Sequence, residues 1–155
     1  KLGVDVLSGN YNIDTALRAL QEHRRSHPGA EIGNVLLNQR VLAGIGNVYK
    51  SEIAFATGVN PFRTMQTISD RELERMAEVA QRYMNANVTE GTGEGIVTYT
   101  GNRRTTGAMD RGSRLWVYGR VGQECRRCGA VIEMRRQGTG ARSTYWCPSC
   151  QPWIR

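Results

Sequence analysis

Four cysteines carry the clearest chemistry in this 155-residue chain. They fall in two pairs, Cys125-Arg126-Arg127-Cys128 and Cys147-Pro148-Ser149-Cys150, with the form C-x2-C-x18-C-x2-C. Two thiolates separated by two residues wrap one tight turn around a metal, and two such turns on facing hairpins complete a tetrahedron. Four thiolates close the coordination sphere, so the expected metal is one structural zinc held by Cys125, Cys128, Cys147 and Cys150. Arg126 and Arg127, inside the first knuckle, are expected to help keep the thiolates deprotonated. Two disulfides would need an oxidising compartment, and residues 1–8 show no continuous apolar run of the kind that builds a signal peptide. A redox C-x-x-C site uses one pair in a βαβ setting, which this sequence does not offer.

The second chemical element is the turn Gly44-Ile45-Gly46-Asn47. Glycines let the backbone turn tightly and approach another group closely. A helix that begins at Asn47 presents unpaired N–H groups and the positive end of its dipole, which together make a ready phosphate site. Asn47 adds a side-chain donor, and Lys50, one turn on, adds charge. On these grounds alone a plainer reading stands equally: Asn47 caps its own helix, and the glycines shorten a corner.

Charge points in the same direction as the turn. The net charge is +7, but residues 1–100 carry 10 basic and 11 acidic side chains, while residues 101–155 carry 11 arginines and only Asp110, Glu124 and Glu133. The excess therefore sits wholly in the last third. Of the basic residues, only Lys1 and Lys50 are lysine. Arginine's planar fork suits phosphate, and a one-sided basic segment predicts an anionic polymer as partner. No run approaches the roughly 18 apolar residues of a membrane span. The chain begins with Lys1 and not Met, which reads as a piece of something longer.

The elements that must position these groups follow from periodicity. Residues 2–9 read as a connector. Ile13, Ala16, Leu17 and Leu20 lie on one helix face, with Asn12 as N-cap and Pro28-Gly29 as the stop. A second helix is expected over residues 32–39, and a third from Asn47 toward Gly58. A fourth opens with Ser69-Asp70-Arg71-Glu72, a capping box, and its Met76, Tyr83 and Met84 read as core filling. From residue 90 to 112 six glycines break every pattern. Strands are expected over residues 115–118, 130–134 and 143–146, the last two joined through Gly138 and Gly140.

The segment from Leu36 to Glu52 with Gly58-Val59-Asn60-Pro61 resembles the helix–two-turn–helix motif of the formamidopyrimidine-DNA glycosylase/endonuclease VIII family. The run from Tyr118-Gly119-Arg120 through Cys125-Arg126-Arg127-Cys128-Gly129 to Ala141-Arg142-Ser143-Thr144-Tyr145-Trp146-Cys147-Pro148-Ser149-Cys150-Gln151 resembles that family's zinc finger. The resemblance implies that Asn47, at the end of the G-x-G-N turn, and Arg142, at the hairpin tip, hold phosphates beside a lesion. It also implies excision of oxidised bases after nucleotide flipping, by the amine of an N-terminal Pro with the next Glu as acid/base, followed by lyase cleavage. This sequence starts Lys1-Leu2, so the expectation is the C-terminal half of such an enzyme, with no catalytic residue of its own and no activity alone.

The expected fold class is mainly α: a helix–two-turn–helix domain over residues 1–90, a Gly/Thr-rich linker over 91–113, and a β-hairpin four-cysteine zinc ribbon over 114–155. The expected DNA-binding residues are Gly46, Asn47, Lys50 and Arg142. The expected partner is duplex DNA with a damaged or abasic nucleotide, bound by a monomer in a bacterial cytoplasm on the nucleoid, with no membrane contact. Two other classes fit the sequence less well. An rRNA-binding protein of helix–two-turn–helix type leaves the ribbon and Arg142 unexplained, and a zinc-ribbon interaction module predicts a neutral or apolar ribbon face. The Tyr145-to-Gln151 ending and Arg103-Arg104-Thr105-Thr106-Gly107, which does not look like a segment that caps 8-oxoguanine, favour the endonuclease VIII branch and oxidised pyrimidines.

Overall fold

The computed structural model of the chain describes residues 2–90, 97–99 and 115–153. The linker expected over 91–113 lies outside these residues except for 97–99, as does the segment 103–107. Element order is β1 (Val4–Asp5), α1 (Ile13–Ser26), α2 (Ile32–Leu37), β2 (Leu42–Ala43), α3 (Asn47–Thr57), a 3-10 turn (Met65–Thr67), α4 (Asp70–Glu90), β3 (Glu133–Gln137) and β4 (Arg142–Trp146).

The helix ends follow local chemistry. The Asn12 side chain accepts the Thr15 N–H and caps α1. Gly58, at φ 73°, ends α3 in the left-handed conformation that glycine adopts without strain. At the start of α4, Ser69 and Glu72 exchange bonds: the Glu72 N–H donates to Ser69 Oγ at 3.1 Å and the Ser69 N–H to Glu72 Oε1 at 3.0 Å. Glu72 also pairs with the buried Arg63 guanidinium, which ties the loop before α4 to its first turn.

Two buried apolar clusters result. The larger gathers Ala16 and Leu20 of α1, Ile32, Val35 and Leu36 of α2, Ile53 of α3 and Leu73, Met76, Ala77 and Met84 of α4. The smaller gathers Val117, Cys125, Ile132 and Cys147 of the ribbon around Phe55, which α3 supplies from the helical side. Phe55 stacks on Trp116 with ring centroids 5.2 Å apart. Helix α3 thus belongs to both cores.

Three expectations are corrected here. Residues 2–9 are not a mere connector, because β1 pairs in parallel with β2, Val4 against Leu42 and Asp5 against Ala43. Residues 115–118 do not form a strand but bends and a turn, because the N–H groups of Trp116, Val117 and Tyr118 are taken by a carboxylate rather than by a neighbouring strand. The first hairpin strand is Glu133–Gln137, about three residues later than expected; it pairs antiparallel with β4 from Glu133↔Trp146 to Gln137↔Arg142. The tip is closed by Ala141 N–H to Gly138 O at 3.0 Å.

Candidate nucleic-acid interface and zinc centre

The four cysteine sulfurs lie within 4.8 Å of one another. Cys125 and Cys150 Sγ are 3.9 Å apart, and Cys128 and Cys147 Sγ 3.4 Å. A tetrahedron of sulfurs each about 2.3 Å from zinc has edges of about 3.8 Å, whereas a disulfide closes to about 2.05 Å. The cluster is therefore a metal site, and it fits one structural zinc. Its thiolates are met by backbone N–H groups: Arg127 N–H on Cys125, Ala130 N–H on Cys128 and Cys150 N–H on Cys147, at 3.3 to 3.5 Å. The Ala130 N–H leads the influences that bring the Cys128 thiol down to about 6. Arg126 and Arg127 do other work. Arg126 donates to Leu115 O and lies over the Tyr99 ring, and Arg127 lies over Phe55 and Trp116.

The glycine turn is braced by a side chain that sequence reasoning passed over. Gln39 Oε1 accepts the Gly44 N–H at 2.8 Å, and Gln39 Nε2 donates to Leu37 O and Ile45 O. Gly44 sits at φ 109°, with Val6 Cγ2 3.0 Å from where a Cβ would be, so only glycine suits it. Gly46, in extended backbone, precedes α3 as its cap residue and supplies no side-chain bond. Asn47 is thus the first residue of α3 and not its cap. Helix α3 opens with N–H groups that no side chain caps among the described residues.

Asn47 Nδ2 donates to Ser143 O at 2.9 Å, across to β4, and its Oδ1 is buried without a partner. One of the two N–H bonds of this amide is thereby used. Arg142 is exposed at the hairpin tip. Leu37, Gln39, Gly44, Ile45, Gly46, Asn47 and Arg142 line a single cleft of about 370 Å³. The fold brings the helix start and the hairpin tip to one place, which neither motif alone specifies.

Lys50, the charge expected one turn into the helix, is not among the residues that line this cleft. It is fully buried, and its ammonium donates to Thr144 Oγ1 at 2.7 Å. Burial, and then the nearby charge of Arg142, bring its pKa down to about 8. Among the described residues no carboxylate pairs with it.

Helix α3 holds the ribbon through further buried polar bonds. The Tyr145 N–H donates to Ser51 Oγ. Glu52, fully buried, accepts the N–H groups of Trp116 at 2.8 Å and of Val117 and Tyr118 at 2.9 Å, together with the Thr98 hydroxyl. Beyond α3, Asn60 Nδ2 donates to Gln151 O, and Gln151 Nε2 donates back to Val59 O. A buried acid in an apolar helix is a visible oddity in sequence, but nothing in its own neighbourhood names three backbone donors more than sixty residues away.

Comparison with known proteins agrees with this geometry. The sequence matches the family described as "Formamidopyrimidine-DNA glycosylase H2TH domain" over residues 2–99 and that described as "Zinc finger found in FPG and IleRS" over residues 122–152. A protein of Streptomyces coelicolor named probable endonuclease 8 2 is 39% identical over 152 residues, which cover 97% of this chain and 49% of that protein. Proteins named formamidopyrimidine-DNA glycosylase also match. The crystal structure of MutM (Fpg) from Thermus thermophilus superposes with a TM-score of 0.74 at 29% identity, over 99% of this chain and 55% of that one. The fold is shared by the Lactococcus lactis Fpg in complex with an abasic site containing DNA, with a TM-score of 0.73 at 24% identity over 98% of this chain and 52% of that one. The chain spans about half the length of the relatives it matches. With its zinc finger and its H2TH segment in the same order, this chain belongs to the formamidopyrimidine-DNA glycosylase/endonuclease VIII family and corresponds to that family's C-terminal half.

Proposed function

We propose that this chain is the damaged-DNA-binding half of a base-excision-repair DNA glycosylase/AP lyase acting on oxidised bases. The observation that carries the reading is the cleft where Asn47, at the uncapped start of α3, meets Arg142, from a hairpin far along the chain. A DNA phosphate at this point receives the N–H groups of the first turn after Gly46, the second N–H of the Asn47 amide and the Arg142 fork. Holding the backbone firmly at one point supports nucleotide flipping, in which the nucleotide turns out about its backbone at the cost of unstacking. Residues 1–90 are the mainly helical domain with the α2–α3 pair as helix–two-turn–helix element, residues 91–113 the linker, and residues 114–155 the ribbon. The clamp is complete within one chain, so a monomer suffices, working on cytoplasmic DNA.

The chemistry of base removal lies outside these 155 residues. None of Gly46, Asn47, Lys50 or Arg142 is an amine nucleophile aimed at the cleft, so the chain alone is expected to bind and not to cut. Oxidised pyrimidines are the favoured lesions, a reading supported by the Tyr145-to-Gln151 ending and by the endonuclease 8 relative.

The test is binding of the zinc-loaded chain to duplex with a stable abasic-site analogue, measured across salt. Asn47→Ala and Arg142→Ala are expected to weaken binding, and Arg142→Ala to reduce the slope of log K against log salt by about 1. Arg135→Ala is the control, because Arg135 packs over Phe62 and Trp146 beside a separate cleft. Equal losses from all three variants would replace the clamp with a diffuse basic surface.

A further inference from the structure

A chain of buried hydrogen bonds runs from α3 across the base of the hairpin. Lys50 Nζ donates to Thr144 Oγ1 at 2.7 Å, Thr144 Oγ1 donates to Gln137 Oε1 at 2.9 Å, and Gln137 Nε2 donates to Glu31 Oε1 at 2.9 Å and Pro61 O at 3.0 Å. Lys50 and Thr144 are fully buried and Gln137 is 4% exposed. The direction of this chain is forced. An ammonium only donates, so the single hydroxyl proton of Thr144 must point onward to the Gln137 carbonyl. The Gln137 amide is then oriented with both of its N–H bonds toward Glu31 and Pro61. The space around it is closed by Gly33 of α2, where an added Cβ would stand 2.4 Å from Gln137 Oε1. Gln137 is the ladder partner of Arg142 in the last pair before the hairpin tip. Whatever fixes Gln137 therefore fixes where the Arg142 backbone stands relative to Asn47.

We propose that Lys50 is the positioning residue of the Arg142 phosphate contact, acting through Thr144 and Gln137 and not by touching DNA itself. The proposal rests on the reading of Arg142 as a phosphate ligand. Removing the ammonium lets the Thr144 hydroxyl rotate, takes the direction out of the chain and loosens Gln137 and the tip with it. Because the effect passes through Arg142, it vanishes where Arg142 is absent. A buried lysine that merely filled space or added diffuse charge would lack that dependence.

The experiment uses the zinc-loaded chain with Lys50→Met, which keeps the volume and loses the donor, and Thr144→Val, which keeps Lys50 and breaks the chain one step later. Each is made with and without Arg142→Ala. Amide hydrogen exchange at Gln137, Ala141 and Ser143 is read in the free protein. Affinity for abasic-analogue duplex is read across salt. Faster exchange confined to the hairpin is expected in both variants, with about tenfold weaker binding and a salt slope lowered by about 1 when Arg142 is present. Less than a twofold further loss is expected on the Arg142→Ala background. A Lys50→Met loss that is equal with and without Arg142 overturns the proposal, as does unchanged hairpin exchange in both variants. If Lys50→Met fails to retain zinc, Thr144→Val decides alone by the same two readouts. If wild-type chain shows no Arg142-dependent DNA binding, the DNA reading falls, while hairpin exchange still decides whether Lys50 positions the tip.

Discussion

Glu52→Ala tests how the helical domain and the ribbon are joined. The Glu52 carboxylate is fully buried and accepts three consecutive backbone N–H groups, those of Trp116, Val117 and Tyr118, at 2.8 to 2.9 Å. Hydrogen bonds to an ionised group contribute about 1.5–3 kcal/mol each, and a buried donor left without a partner costs about 1–3 kcal/mol. Truncation to alanine strands all three donors beside the Phe55–Trp116 stack. Even at the low ends of those ranges the loss over three bonds is about 3 to 4.5 kcal/mol, against a total stability of about 5–15 kcal/mol for a domain of this kind. Glu52→Gln keeps one acceptor oxygen and turns an NH2 toward the donors, so an intermediate loss of about 2–3 kcal/mol is expected. The assay is urea unfolding of zinc-loaded protein, read by the fluorescence of Trp116, Trp146 and Trp153, all of the ribbon segment, and by helical circular dichroism, with zinc release to a chelator followed separately. The ribbon signal and zinc release should shift more than the helical signal, because the stranded donors belong to the ribbon side. A Glu52→Ala loss below about 1 kcal/mol, or one equal to that of Glu52→Gln, would refute the view that this carboxylate joins the two cores.

Zinc removal by a strong chelator is expected to unfold β3, β4 and the Phe55 cluster while leaving much of the α1–α4 helicity, since metal binding is folding energy in small metal domains; protein that stays ribbon-folded without metal on hydrogen exchange would contradict this. The Lys50 ammonium, brought down to about 8 in the fold from an ordinary 10.5, holds its proton longer in the unfolded chain, so its contribution to stability rises with pH between about 8 and 10.5, by at most about 1.4 kcal/mol per pH unit. Tyr11 and Tyr49, pushed up to about 12 by burial, oppose this above pH 10, so the check is the difference in slope between wild type and Lys50→Met from pH 8 to 10, and identical slopes would count against it. Incubation of the chain with abasic duplex and borohydride is expected to trap no covalent adduct, and an adduct mapped to any of its amines would show that it carries chemistry after all. Excision by a full-length parent enzyme is expected to be faster for thymine glycol or 5-hydroxyuracil than for 8-oxoguanine in matched duplexes; the reverse order would place it in the purine branch.

What was legible in the sequence is what depends on near neighbours. Cys125 and Cys128 share a knuckle because two intervening residues dictate it, and Ser69 and Glu72 exchange bonds because three residues make one helical turn. The stop at Gly58 and the turn at Gly44 follow from backbone freedom at single positions. The tertiary structure decided wherever a group's partner lies far along the chain. Residues 115–118 read as a short apolar strand, yet Glu52 takes three of their N–H groups, and nothing within the segment reports that. Asn47 reads locally as a helix cap, but its amide reaches Ser143 on β4. Lys50 reads locally as added charge for a phosphate, but it is buried and its ammonium donates to Thr144. Spacing encodes the geometry of a few adjacent bonds, whereas a buried polar group takes whichever partner the packed chain brings to it, because leaving it unpaired costs more than the local preference it overrides.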